Sequence, residues 1–121
     1  MVKTPEIKPL VFNLGSVNKI PLGQGMCFVV CGEEVAVFRQ RDGRIFATHN
    51  RCPHRQGPLS EGVIGNGSVL CPLHAHKFDL ATGKGVEHEC VKTYPVREDS
   101  GEIILSFSPD AHVPQCAAAS A

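Results

Sequence analysis

Short apolar runs, each followed by turn residues, make up most of this chain. They occupy residues 10–14, 26–31, 34–40, 44–48, 68–71, 77–80, 91–97 and 102–107, and many of them are rich in β-branched and aromatic residues. Runs of this length and composition predict β-strands, and many short strands with frequent turns are typical of an all-β sandwich or barrel. We therefore predict an all-β fold.

The residues between these runs predict how the strands connect. Glycine-containing segments at 32–33 and 99–101 each separate two runs and favour hairpins, and the segment 65–67 is predicted to turn the chain into the run at 68–71. The pair Asp42-Gly43 predicts a type I′ hairpin turn, in which both central residues have φ > 0. A helical pattern is confined to one turn at residues 16–20, with Ser16 as its N-cap and Pro21 ending it.

Length and charge limit the possible classes of protein. The chain has 121 residues, of which 42% are hydrophobic, so we expect a single domain with one modest core over residues 10–107, preceded by a loose arm and followed by a tail at 108–121. Lys plus Arg and Asp plus Glu number 12 each, so no basic field exists to bind nucleic acid or an anionic membrane. No segment approaches the roughly 20 apolar residues of a membrane span, and no signal peptide is evident. We expect a soluble, cytoplasmic protein whose partners are proteins.

The six cysteines indicate more about the possible chemistry of the protein than its net charge does. Without an export signal, metal binding or free thiols are favoured over disulfides. Cys27, Cys31 and Cys90 lie in or beside apolar runs and are predicted to be small buried core residues, and Cys116 is predicted to be an exposed thiol without a function.

Two short runs, Cys52-Pro53-His54 and Cys71-Pro72-Leu73-His74, carry the candidate chemistry. Each offers one thiolate and one imidazole, and both zinc and iron–sulfur clusters accept these donors. Structural zinc sites usually start from a pair of like ligands, whereas here each run is mixed, which favours a centre with two different irons. A zinc-stabilised interaction module stays an alternative. A Cys-His nucleophile pair would leave the second, equivalent pair without a purpose.

At these residues the chain resembles the Rieske [2Fe-2S] family, whose pattern is C-x-H followed by C-x-x-H. The flanking residues 51–59, 78–80 and 82–83 also resemble the ligand loops of that family. Rieske centres bind one iron through two cysteines and the other through two histidines. The resemblance therefore implies that Cys52, His54, Cys71 and His74 bind a Rieske-type [2Fe-2S] cluster. It also implies an antiparallel β sandwich or barrel with an inserted cluster-binding subdomain, here about residues 48–84.

Within the family, residues 35–39, 57–62 and 93–96 look closest to the small subunit of assimilatory NAD(P)H nitrite reductase. This likeness implies an electron-transfer subunit that is not catalytic on its own, whose large subunit binds NAD(P)H, FAD, a [4Fe-4S] cluster and sirohaem. The alternative is a free-standing Rieske ferredoxin that works with a ferredoxin reductase and a ring-hydroxylating dioxygenase. The two share fold and ligands, so only the subgroup likeness separates them.

Residues beside the ligands predict the redox character. Rieske proteins of respiratory complexes carry an extra cysteine in each ligand loop, and a Ser and a Tyr hydroxyl near the cluster. Here 56–59 and Leu73 offer no thiol, and His76 and Phe78 replace the two hydroxyl residues. Fewer hydrogen bonds to the sulfurs predict a low reduction potential of about −150 mV, at the lower end of the Rieske range. His49 and His76 are predicted to have surface or supporting roles, and Arg55, Gln56 and Lys77 form a candidate docking rim.

Overall fold

The computed structural model describes residues 10–51, 57–72, 77–85 and 90–107. Within these ranges it contains ten β-strands and two single 3₁₀ turns. The strands are β1 (Leu10–Ser16), β2 (Gln24–Val30), β3 (Glu33–Arg39), β4 (Ile45–His49), β5 (Val63–Gly65), β6 (Ser68–Leu70), β7 (Lys77–Asp79), β8 (Thr93–Tyr94), β9 (Val96–Asp99) and β10 (Glu102–Phe107). The 3₁₀ turns are Val17–Lys19 and Leu59–Glu61. The predicted all-β class is confirmed, whereas the predicted arm and tail lie outside the described residues.

The strands form three antiparallel sheets. A four-stranded sheet has the order β2-β3-β4-β8, a three-stranded sheet has the order β1-β10-β9, and a small sheet has the order β5-β6-β7. The first two sheets enclose one buried cluster, which we call the base core. Its members are Val17, Ile20, Val30, Val35, Val37, Ala47, Tyr94, Ile103, Leu105 and Phe107.

A second buried cluster lies on the other face of the four-stranded sheet. We call it the Cys71 core, and its members are Ala36, Phe38, Leu59, Ile64, Val69, Cys71, Phe78, Leu80 and Val91. Strand β3 serves both cores, because Val35 and Val37 point into the base core while Ala36 and Phe38 point into the Cys71 core. All four side chains are completely buried. This explains why β3 reads as a continuous apolar run rather than an alternating one.

Two-residue turns with left-handed backbone connect three of the hairpins. Both residues have φ between 50° and 80° at positions 31–32, 66–67 and 100–101, as a type I′ turn requires. The predicted type I′ turn at Asp42-Gly43 is wrong, because only Gly43 has a positive φ there. The Gly43 N–H bonds to the Gln40 carbonyl at 2.9 Å, and Asp42 accepts the Arg44 N–H, which gives a three-residue loop ending in a left-handed glycine.

Two other local predictions have different outcomes. The predicted turn at 16–20 is confirmed as a 3₁₀ turn, with the Ser16 hydroxyl accepting the Asn18 N–H at 3.1 Å. The predicted single strand at 91–97 is wrong, because Pro95 divides it into β8 and β9, which belong to different sheets. Proline has no N–H to donate to a ladder, so a strand that changes sheets can bend there at little cost.

A polar contact fastens β8 to β3 at the edge of the base core. The Tyr94 hydroxyl donates to Glu33 Oε1 at 2.8 Å, and its ring stacks on Phe107 with centroids 5.7 Å apart. Lys92 Nζ lies 5.0 Å from the Tyr94 ring centroid and 3.7 Å from Glu33 Oε1. Burial, followed by the hydrogen bond to the Glu33 carboxylate, raises the pKa of Tyr94 well above its ordinary value of 10.0.

This contact predicts an alkaline loss of stability. The unfolded chain releases the Tyr94 proton near pH 10 while the folded chain keeps it. The free energy of unfolding therefore includes the full contribution of Tyr94 below pH 10 and decreases as the pH rises above it. Urea unfolding at pH 8 and above pH 10 should show a steeper loss for the natural chain than for Tyr94→Phe. Equal pH dependence in the two proteins would contradict the assignment.

Candidate metal centre

Cys71 is the one predicted ligand that lies within the described residues. It follows β6 directly, is 2% exposed, carries a free thiol and belongs to the core that bears its name. Cys52, His54 and His74 lie outside the described residues. Among the described residues, no three His, Cys, Asp or Glu side chains lie close enough together to hold a metal ion. The segments on either side of 52–56 and 73–76 therefore carry the structural information about the site.

Strands β6 and β7 form the two sides of the second ligand segment. Their register pairs Val69 with Phe78 and Leu70 with Lys77, so Cys71 follows directly after a residue that is paired with the first residue of β7. Phe78 is completely buried and shares the Cys71 core. A hairpin of this kind fixes where the chain leaves and re-enters the sheet.

Asn50 and Arg51 join the two sides of the first ligand segment. The Leu59 N–H donates to the Asn50 carbonyl at 2.6 Å, and Arg51 forms an antiparallel bridge with Pro58. The Ser60 N–H donates to Asn50 Oδ1 at 2.9 Å. The ends of the first segment are therefore held together on the four-stranded sheet.

The residues that flank the first ligand segment also contact those that flank the second; we call these flanking residues the stems. Gly62 lies so close to the backbone of Leu70 that a Cβ at this position would collide with the Leu70 carbonyl oxygen. Leu59, at the end of the first stem, is completely buried in the same core as Cys71. Both predicted ligand segments therefore start from one neighbourhood, as the prediction that their ligands meet at one tip requires.

The Cys71 thiol is a donor of the kind that binds an iron–sulfur cluster. A free thiol that is nearly inaccessible to water and surrounded by apolar side chains suits a buried metal–sulfur bond. The other described free thiols differ from Cys71, because Cys27 and Cys31 are exposed, against the prediction that they are buried. Cys90 is half-buried and disulfide-bonded, so the predicted buried thiol is wrong there too.

Glu34 is the acidic residue that sequence reasoning missed. Its Oε1 accepts Asn50 Nδ2 and its Oε2 accepts an Arg51 NH2 group, each at 2.9 Å. Hydrogen bonds from Arg51 and then Asn50 lower the pKa of Glu34 below its ordinary value. His49 Nδ1 accepts the Arg51 N–H at 3.3 Å, and its surface or supporting role stays a prediction. No sequence motif indicates that position 34 and positions 50–51 meet.

An open cavity of about 430 Å³ lies at the turn that precedes β6. It is lined by Gly23, Gln40, Arg41, Asp42, Arg44, Ile64, Gly65, Asn66 and Gly67. Residues 66–67 form the turn before β6, whereas Cys71 follows the other end of that strand. The cavity therefore does not open onto the Cys71 stem. Among the described residues no helix is long and apolar enough to cross a membrane.

Comparison with known proteins identifies the kind of domain that this geometry belongs to. Residues 11–106 match the family model of the Rieske-like [2Fe-2S] domain. The chain is 36% identical over 97 residues to the biphenyl dioxygenase ferredoxin subunit of Pseudomonas sp. (strain KKS102), covering 77% of this chain and 88% of that subunit.

Two solved structures add a comparison of folds. The ferredoxin of carbazole 1,9a-dioxygenase from Nocardioides aromaticivorans IC177 superposes with a TM-score of 0.72 at 30% identity, over 84% of this chain and 99% of that one. A protein provisionally named as the small subunit of an NADPH nitrite reductase gives a TM-score of 0.73 at 26% identity, over 79% and 97% of the two chains. The fold is thus common to both classes of electron carrier considered above.

Alanine substitutions test the four predicted ligands. Cys52→Ala, His54→Ala, Cys71→Ala and His74→Ala should each abolish the cluster, because each removes one ligand. Dithionite-reduced natural protein should give a rhombic EPR signal with average g below the free-electron value. Cys27→Ala is the matched control and should keep the full signal, since this thiol is exposed and free. A full-strength signal in any ligand variant would refute that ligand.

Phe78→Tyr tests whether residue 78 faces the centre. A hydroxyl that bonds a ligand sulfur should raise the reduction potential, because it stabilises the more negative reduced state. A net contribution of roughly 0.5 to 1.5 kcal/mol corresponds to roughly 20 to 65 mV for one electron. Protein-film voltammetry measures the shift. Phe12→Tyr, beside the base core, is the control that should leave the potential unchanged.

Proposed function

Since this chain belongs to the family of Rieske-like [2Fe-2S] domains, we propose that it is a free-standing ferredoxin that delivers single electrons to a ring-hydroxylating oxygenase. The observation that carries this proposal is the likeness to dioxygenase ferredoxins, which spans 88 to 99% of their length at 30 to 36% identity. The nitrite reductase small subunit, which the sequence motifs favour, is supported at lower identity. We therefore rank the ferredoxin first.

The cofactor of the family is a Rieske-type [2Fe-2S] cluster, which supplies a one-electron couple. In the proposed assignment Cys52 and Cys71 would bind one iron, and His54 and His74 would bind the other. The protein contributes a buried thiol at position 71 and ligand segments that leave the sheets from neighbouring stems. The apolar side chains packed around Cys71 would keep water from that side of the bound cluster.

The distribution of cavities and side chains supports a carrier rather than an enzyme acting on a small substrate. The cavity of about 430 Å³ lies at the turn end of β6, and the described side chains packed around Cys71 are apolar. They provide no general acid or base. The proposal accordingly assigns the substrate chemistry to the partner.

Exposed side chains beside the Cys71 stem support a protein partner. Val63, Leu70 and Lys77 pair in register across the small sheet, and all three are exposed. Val63 is 71% exposed and lies beside the exposed Leu70, so the two form a small apolar surface next to Lys77. Of the candidate docking rim, Lys77 lies on this row, while Arg55 and Gln56 lie outside the described residues. We propose that the row contributes to the surface that contacts the oxygenase, with a ferredoxin reductase as the electron donor.

The second candidate is the small subunit of an NAD(P)H nitrite reductase. It is supported by the structural likeness at 26% identity and by the sequence segments 35–39, 57–62 and 93–96. In that case the partner is a large subunit that contains sirohaem and FAD. The two candidates differ in the partner and share the cluster.

The partner decides between the candidates. Tagged holoprotein should recover from its native cells an oxygenase free of sirohaem, and reduced holoprotein should drive hydroxylation of an aromatic substrate by that purified oxygenase. The cluster-free variant Cys71→Ala is the control and should drive none. Recovery of a sirohaem-containing chain, whose reduction of nitrite the holoprotein stimulates, would overturn the ferredoxin and establish the second candidate.

A further inference from the structure

We propose that Asn50 is a positioning residue: bound to Glu34, it closes the first ligand segment and holds Cys52 and His54 at the spacing that the cluster requires. The inference rests on the ligand assignment proposed above. It does not depend on which protein receives the electron. It is based on the hydrogen bonds that Asn50 makes with Glu34, Leu59 and Ser60.

Asn50 uses both its backbone and its side chain to close the segment. Its own N–H donates to the Glu34 carbonyl at 2.9 Å, and its carbonyl accepts the Leu59 N–H at 2.6 Å. Its Oδ1 accepts the Ser60 N–H and its Nδ2 donates to Glu34 Oε1, both at 2.9 Å. Asn50 is 3% exposed, so water cannot replace these bonds without opening the structure. One residue thus connects β3, the start of the segment and its end.

The chemistry of this position calls for an amide. An asparagine side chain donates and accepts at once, and here the acceptor takes a backbone N–H while the donor meets a carboxylate. Alanine would leave the Ser60 N–H and a Glu34 oxygen without this partner. Aspartate would keep the acceptor but place a second carboxylate against Glu34.

Glu34 also binds Arg51, the residue before the first predicted ligand. Its second oxygen accepts Arg51 at 2.9 Å, and Arg51 immediately precedes Cys52 in the chain. Hydrogen bonds from Arg51 and Asn50 lower the pKa of Glu34, so the carboxylate stays charged at neutral pH. Partners that orient metal ligands typically change metal affinity about 10- to 100-fold when removed. We expect an effect of that size from Asn50.

The chain contains a matched pair that provides the control. Asn13 Nδ2 donates to Glu102 Oε1 at 2.9 Å, and Asn13 Oδ1 accepts the Gly15 N–H at 2.8 Å. The same two kinds of side-chain bond therefore occur on the three-stranded sheet β1-β10-β9, where Asn13 and Glu102 are exposed. Substitution of Asn13 removes the same kind of contact without touching a ligand segment.

The experiment measures cluster loss from purified holoprotein. Asn50→Ala should lose its visible absorbance in the presence of an iron chelator about 10- to 100-fold faster than the natural protein, and the EPR g values of its remaining cluster should shift. Asn13→Ala should lose its cluster at the natural rate. Thermal unfolding, followed by circular dichroism, reports overall stability in both variants.

A rescue by substitution separates positioning from general destabilisation. Asn50→Asp should behave like Asn50→Ala, because it sets two carboxylates together. Adding Glu34→Gln to Asn50→Asp exchanges donor and acceptor across the same contact, and it should restore most of the natural rate. Glu102→Gln removes a charge from the control pair and should change neither the rate nor the g values.

Three outcomes would overturn the proposal: a natural rate and natural g values in Asn50→Ala, equal acceleration in Asn50→Ala and Asn13→Ala, or failure of the double variant to recover. The assay uses only chelator and dithionite, so a wrong partner in the proposed function leaves its result unchanged. A wrong ligand assignment would appear separately, as a retained cluster in Cys52→Ala.

Discussion

The burial of β3 on both faces is the constraint on which the rest of the structure depends. Val35 and Val37 pack into the base core, and Ala36 and Phe38 pack into the Cys71 core. Fully burying a Val or Phe side chain contributes roughly 1.5 to 3 kcal/mol, so this strand carries a large share of the stability of both cores. The Cys71 core is therefore built on the same strand as the base core. Glu34, which accepts hydrogen bonds from Asn50 and Arg51, lies on the same strand.

Much of the fold follows from short-range signals in the sequence. The strand runs, the turns at 66–67 and 100–101 and the Ser16 cap appear where local patterns predict them. The failures also have local causes. At Asp42-Gly43 a three-residue loop lets Asp42 accept the Arg44 N–H, and at Pro95 the chain changes sheets within one apolar run. Apolar pattern predicts that a strand exists, but it does not reveal which sheet the strand joins.

The site shows the same division between local and long-range information. The motif that contains Cys71 is visible because the donors are close together in sequence. The contact between Glu34 and Asn50 spans 16 positions, and each residue type has many possible partners in an unfolded chain. Only the register of β3 with β4, in which Val35 faces His49, brings them together. The choice between two electron carriers is harder still, because it depends on a partner surface and not on the ligands or the fold.

The pairing of β1 with β10 has a consequence for how such a domain can be used. Leu10 faces Phe107 in register, so the first and last described strands are neighbours on one sheet. A domain whose entry and exit points adjoin can be inserted into a longer polypeptide through two short linkers, or circularly permuted, without disturbing its interior. The contact also joins residues almost a hundred positions apart, so its formation closes nearly the entire chain and is costly in loop entropy. The same pairing therefore keeps the two ends of the described domain together at one edge of the sheet.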